Sequence, residues 1–294
     1  TMCNWTFIMQ DLFEGVSAEV KIVPASHTRS WSTVNETQYM QYDDIRVQNN
    51  DKLQIRGYRQ NYRYFIDSKN ALRRLFQFRQ HYVDVADKLK RELLQSFSDI
   101  RQPVLVGVHV RIGDIMEQEL QSYGYNVARK SFFEKSMSIM ANRHGRDRII
   151  FVITSDTMSE AKATMSNLSV NYNVFFVEGK LAHEDFAILS SMDHMVTSGG
   201  TFGFWAAWLC GGDVIYFSEY CTPGSELEKE GYCMTCFNLP EWLLSPIKSA
   251  LVILRYHDTK HKQAVPQADS TANRQYHRQA VPQAGSTTTC QLCS

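Results

Sequence analysis

The chain contains no apolar run approaching the roughly 18 residues that a membrane-spanning helix requires. Its first residues hold no basic segment leading into an apolar one, so no signal anchor is written in this sequence. It lacks a charge surplus as well: 31 Lys and Arg balance 31 Asp and Glu. That balance argues against a nucleic-acid binder driven by overall charge, and no nucleic-acid motif accompanies it. No Asp-x-Asp pair offers paired carboxylates to a divalent ion. Zinc-ribbon spacing is missing too. Of seven cysteines (3, 210, 221, 233, 236, 290 and 293), two Cys-x-x-Cys pairs exist, but a long polar stretch separates Cys236 from Cys290. Disulfides suit these cysteines better than a metal, with Cys221 closing a local loop to Cys233 or Cys236.

Apolar residues make up 44% of the 294 and charged residues 21%, which fits a folded domain of ordinary composition with ample chain for a core. The charge is uneven. From Arg46 to Arg111, 14 Lys and Arg stand against six Asp and Glu. A solvated helix face explains most of this, and a fraction is suited to attract an anionic ligand. Three Asn-x-Ser/Thr triplets, at Asn4, Asn35 and Asn167, are glycosylation candidates compatible with a secretory lumen.

Residues 1–45 show little pattern. Apolar residues at three- and four-residue spacing (Leu72, Leu75, Phe76, Val83, Ala86, Leu89, Leu93, Phe97) predict a helix over 66–98. Strands and helices then alternate: strand 104–110, helix 131–142, strand 148–154, helix 158–165, strand 173–178, helix 183–191, strand 195–197, helix 204–209 and strand 214–217. This order predicts a parallel sheet covered by helices on both faces. After Trp242 the pattern fades, and an eleven-residue polar segment beginning at His261 recurs at His277. That tail, 256–294, reads as disordered because it cannot bury a core.

Two segments carry chemistry. The apolar strand from Val104 ends in His109, Arg111 and Asp114. Ligands of open α/β sheets bind beyond the carboxyl ends of the strands, where an arginine offers a planar fork to phosphate oxygens. Taken alone, such a cluster is equally a local salt bridge. Further on, Ser198-Gly199-Gly200-Thr201 forms a turn into a helix, presenting N–H groups, hydroxyls and a positive dipole end, while Gly211-Gly212 stops that helix. Phe202, Phe204, Trp205 and Trp208 read as core residues rather than sugar platforms.

Together these segments resemble the α1,2-fucosyltransferases of glycosyltransferase family 11. The resemblance rests on His109-Val110-Arg111-Ile112-Gly113-Asp114, on Thr154-Ser155-Asp156, and on Glu184-Asp185-Phe186-Ala187 running into Ser198-Gly199-Gly200-Thr201-Phe202-Gly203-Phe204-Trp205-Ala206-Ala207. A weaker match is Gly57 to Phe65, and the whole covers about 55–245. Two departures stand out. The family usually has a second arginine where this chain has Ile112, and its Gly-x-x-Gly-Asn turn has no counterpart in residues 1–45.

The resemblance implies an α/β fold of GT-B-like type: two Rossmann-like halves, the N-terminal one incomplete, with the parallel sheet in the donor half. It implies an acceptor-side part over 1–100 and a GDP-fucose-binding domain over 101–250. The implied activity is inverting, metal-independent transfer of L-fucose from GDP-fucose to the 2-hydroxyl of a terminal β-galactoside on a glycan. The implied donor ligands are His109, Arg111, Asp156, Ser198, Thr201 and Phe202, with Asp156 and His109 at the guanine. Arg111 and Asp114 are the implied catalytic pair, Asp114 either orienting Arg111 or accepting the 2-hydroxyl proton. No cofactor or metal is implied, nor any nucleic-acid partner. The implied location is the Golgi membrane with a lumenal catalytic domain, through a signal anchor absent from this sequence. Two alternatives stay open: a catalytically impaired glycan- or GDP-sugar-binding relative, and a transferase with a different donor such as a UDP-sugar.

Overall fold

The computed structural model describes residues 5–21, 23, 25–46, 52–244 and 289–290. The 256–294 tail therefore lies outside the described residues, the short strand Thr289–Cys290 excepted, and so does Asn4.

Residues 104–244 build one parallel sheet. Its strands are β3 (Val104–Val110), β4 (Ile149–Ser155), β5 (Asn173–Phe176), β6 (His194–Thr197), β7 (Val214–Tyr216) and β8 (Leu243–Leu244). Their order is β5-β4-β3-β6-β7-β8, and every pairing is parallel. The α/β class and the parallel sheet expected from strand–helix alternation are both observed. β3 is buried at all seven positions, as its apolar residues, interrupted only by His109, require of a central strand. The chain lays down β3, β4 and β5 outward in one direction, then returns to place β6 on the other side of β3. This reversal opens a crevice between the carboxyl ends of β3 and β6.

Alternate residues of the strands feed two separate cores. Val104, Val106, Val108 and Val110, with Ile149, Phe151 and Ile153, pack with Phe132, Phe133 and Met137 of α6 (Lys130–His144) and Ala161 of α7 (Met158–Met165). Leu105, Ile150 and Val152 face the other way, onto Ile188 of α8 (Ala182–Ser190) and Ala86, Leu89 and Leu93 of α4 (Gln80–Ser96). Gly107 allows this approach, since a Cβ there would lie 2.9 Å from Leu189 Cδ2. A third cluster joins Phe186 of α8 and Phe204, Ala207 and Trp208 of α9 (Gly200–Cys210) to Leu12, Phe13 and Val16 near the N-terminus.

Four elements differ from the sequence reading. The helix expected over 66–98 is broken into α3 (Lys69–Leu75) and α4, because Phe76 and Phe78 turn inward to clasp Phe13 at ring distances of 5.0 and 4.9 Å. The poorly patterned N-terminal stretch holds α1 (Trp5–Leu12), α2 (Glu14–Glu19) and β1 (Ser32–Asn35), the last pairing parallel with β2 (Leu53–Arg56). α9 begins at Gly200, four residues before its expected start, so Thr201 and Phe202 sit in its first turn. Gly211, the expected stop, caps α9 in the left-handed conformation at φ 76°. Among the described residues the disulfide is Cys233–Cys236, and Cys221 is a free thiol. The expected pairing of Cys221 with either is thereby corrected: the tight turn around α11 (Met234–Phe237) brings the two nearer cysteines together. Asn35 and Asn167 are exposed. No helix among the described residues is long and apolar enough to cross a membrane.

Candidate functional site

The loop after β3 and the N-terminus of α9 face one another across the crevice. They are tied together by backbone and side chain. Ser198 N–H donates to His109 O (3.1 Å), and Arg111 N–H donates to Ser198 Oγ (2.8 Å). Asp156, beyond the end of β4, accepts Ile112 N–H on Oδ1 (3.0 Å), fixing the loop from its other side. Ile112 itself is 7% exposed and packs in the core, so at this position the backbone N–H serves the site and the side chain serves stability.

Arg111 is the centre of the arrangement. Its Nε and Nη2 donate to the two carboxylate oxygens of Asp114 at 3.2 and 2.7 Å, the side-on fork geometry of an arginine–carboxylate pair. Its Nη1 donates to the Tyr220 hydroxyl at 3.2 Å. Burial is the largest single influence and works against the Arg111 charge, but the hydrogen bonds to Asp114 together with the electrostatic pull of Tyr220, Asp114 and Asp156 outweigh it and hold the guanidinium above its ordinary range. The same bonds hold the Asp114 carboxyl below its usual value. The start of α9 lies directly against this fork. Gly200 has φ 77°, and a Cβ there would come 2.4 Å from Arg111 Nη1. The first N–H groups of a helix have no intrahelical acceptor. The guanidinium and the dipole end of α9 therefore address one small volume, suited to an anion.

His109 completes the inner wall. It is 6% exposed, its Nδ1 lies 3.5 Å from Thr197 Oγ1, and its ring stacks on Phe202 at 5.2 Å. Phe202 in turn meets Phe186 edge-on at 5.2 Å. Gly203 makes room for the pair, since a Cβ there would lie 2.1 Å from Thr197 Oγ1 and 2.6 Å from His109 Nδ1. Burial pushes His109 down to about 4, so it is neutral at pH 7. The folded value lies below the unfolded 6.5. Its contribution to stability is thus complete above pH 6.5 and is lost as the pH falls toward 4. Between pH 7.5 and 4.5 this group should remove about 2–3 kcal/mol. Denaturant unfolding at the two pH values tests this, because His109→Gln should lose correspondingly less on acidification.

Of the residues singled out by sequence, the fold brings His109, Arg111, Asp114, Asp156, Ser198, Thr201 and Phe202 to one end of the sheet. Two others were not among the ligands expected from sequence, although Asp185 lies in the Glu184 to Ala187 motif. Tyr220, four residues past β7, carries no motif. Asp185 lies in the first turn of α8, at the same edge of the sheet, beside Phe186. Its Oδ1 is buried with no hydrogen-bond partner among the described residues, and burial followed by the neighbouring Glu184 pushes it up to about 7. An unsatisfied buried acceptor at a ligand edge lowers stability and is the kind of group retained for a ligand. The folded value exceeds the unfolded 3.8, so stability present at low pH is lost as the pH rises through 7. Asp185→Asn should raise Tm by about 2–5 °C at pH 8 and change it little near pH 3.5. A melting scan at both values reads the difference.

Among the described residues one group could hold a metal: His144, His194 and Asp213, at the opposite end of β6 from the crevice. The rings of the two histidines stack at 3.7 Å, and His144 Nε2 lies 3.0 Å from Asp213 Oδ2 without hydrogen-bond alignment. His194 Nδ1, however, accepts Asp213 N–H (2.9 Å), which places the ring proton on Nε2. Arg143 Nε also occupies Asp213 Oδ2 at 3.0 Å. An ion would have to displace both.

The sequence matches known proteins over much of its length. The model of glycosyl transferase family 11 matches residues 15–244. Galactoside alpha-(1,2)-fucosyltransferase 1 of Saimiri boliviensis boliviensis is 32% identical over 202 residues, which cover 66% of this chain and 54% of the relative. The rat (Rattus norvegicus) protein of that name is 32% identical over 206 residues, covering 67% and 53%. The chain thus spans about half the length of the curated relatives it matches. A solved structure of NodZ alpha-1,6-fucosyltransferase soaked with GDP-fucose aligns with 51% of this chain and 50% of its own at 19% identity, with a TM-score of 0.34, a likeness too loose to argue from.

Proposed function

We propose, from the premise that this chain belongs to glycosyl transferase family 11, that it transfers L-fucose from GDP-fucose to the 2-hydroxyl of a terminal β-galactoside, with inversion and without a metal. The observation that carries this reading is the Arg111 fork, locked by Asp114 and Tyr220 against the N-terminus of α9. In such a transfer the bond from the anomeric carbon to the β-phosphate oxygen breaks while the acceptor oxygen approaches from the opposite face, and the acceptor hydroxyl releases its proton to water as the new C–O bond forms. Negative charge grows on the departing diphosphate. A cation and N–H donors fixed in advance stabilise that charge without reorganising. Arg111 supplies the cation, the first turn of α9 with Thr201 supplies donors, and Ser198 holds the Arg111 backbone in place.

His109 is neutral and can donate or accept toward a base, and Asp156 has Oδ2 left for the guanine N–H groups once Oδ1 is taken by Ile112. Asp114 is a weak base with its carboxyl held low by Arg111, so it serves as the residue that orients the fork rather than as the proton acceptor. The relatives' names support the linkage. Asn35 and Asn167, both exposed, fit a Golgi lumen.

Incubation with labelled GDP-fucose and a β-galactoside in EDTA tests the reading. The expected product is a fucosylated galactoside with a 1,2 linkage by NMR. Nucleotide binding without product would instead favour the impaired sugar-nucleotide-binding relative.

A further inference from the structure

We propose that Tyr220 is a ligand of the donor diphosphate: its hydroxyl accepts a hydrogen bond from Arg111 and donates its own O–H in a hydrogen bond to the phosphate oxygen that Arg111 holds. This rests on the reading of the crevice as a GDP-sugar site. The argument begins with a count of donors. A guanidinium has five N–H groups. Two of those of Arg111 go to Asp114 and one to Tyr220, which leaves one on each Nη for a ligand. The Tyr220 oxygen is an acceptor in its one hydrogen bond with a described residue, so its proton remains to be given.

Two features keep that proton in place and aimed. Tyr220 is 4% exposed, and burial pushes its hydroxyl up to about 12, so it stays a neutral donor at any pH at which the protein works. Its ring is clamped edge-on against Tyr125 at 5.5 Å and tilted against Tyr232 at 5.9 Å. Gly199, at φ 126°, passes so close that a Cβ would lie 2.4 Å from the Tyr220 ring, while its neighbour Gly200 passes equally close to Arg111 Nη1. The paired glycines thus admit the phenol and the guanidinium side by side at the N-terminus of α9. A hydroxyl there, hydrogen-bonded to a cation, adds a donor to the anion site and also fixes one edge of the fork.

Tyr220→Phe keeps the ring and its packing and removes only the oxygen. Calorimetric titration with GDP and with GMP reads the effect. We expect GDP affinity to fall about tenfold or more, the size of a hydrogen bond to a charged group, with GMP, which lacks the β-phosphate, losing less than about threefold. Melting of Tyr220→Phe within a few degrees of the parent confirms an intact fold. GDP affinity within about twofold of the parent, or equal losses for GDP and GMP, overturns the role of Tyr220 while leaving the nucleotide reading intact. A parent that binds neither GDP nor inorganic pyrophosphate overturns both.

Discussion

Arg111→Lys should reduce fucosyl transfer by about 10²–10³-fold, although the charge is retained. Lysine presents a point charge on a flexible stem. It cannot grip both oxygens of Asp114 while still reaching Tyr220 and a ligand, as the planar fork does at 2.7–3.2 Å. The loss should appear mainly in kcat, because charge on the leaving diphosphate develops only as the bond breaks. Initial-rate kinetics over a range of GDP-fucose concentrations separate the cases. A lysine variant within about threefold of the parent would remove Arg111 from the chemistry.

The second large effect is expected from Gly200→Ala. A methyl group at this position would lie 2.4 Å from Arg111 Nη1, and the backbone stands at φ 77°, where a side chain is strained. The atom it meets is the end of a flexible side chain, so the fold yields cheaply: about 1 kcal/mol for the backbone, or roughly 2–4 °C in Tm. The guanidinium, however, must move away from the first turn of α9. GDP affinity should fall by about tenfold or more. Loss of affinity with little loss of stability is the signature of a displaced ligand group. A proportionate fall in both would mean that Gly200 serves the fold alone.

The parallel-sheet half was legible because its strands are nearly uninterrupted apolar runs with polar tips. Val104 to Val110 and Ile149 to Thr154 declare burial on both faces, and His109, Arg111 and Asp156 sit where those runs stop. The first half was not. Phe76 and Phe78 continue the helical spacing of apolar residues, so nothing in the pattern distinguishes a helix face from two rings turned inward onto Phe13. α1 and α2 are short and owe their place to contacts made far along the chain: Phe13 meets Phe186, and Arg79 donates to Gln10 O. Within the site, Asp185 was visible as part of a motif, but its buried, unpartnered oxygen is a property of the packing around α8. Tyr220 reaches Arg111 across 109 positions of sequence, a distance no local pattern spans. Ile112 reads in the sequence as a departure from the motif that the resemblance implies. Its N–H bond to Asp156 and its buried side chain show the position doing structural duty here.

The central claim is that the crevice between β3 and β6 is a guanine-nucleotide diphosphate site that works through Arg111 and the N-terminus of α9. Isothermal titration of the protein with GDP and with UDP, in the presence of EDTA, addresses it directly. GDP should bind without a divalent ion, and UDP at least about tenfold more weakly. Equal affinity for UDP, or GDP binding that appears only when Mg²⁺ or Mn²⁺ is restored, would contradict it.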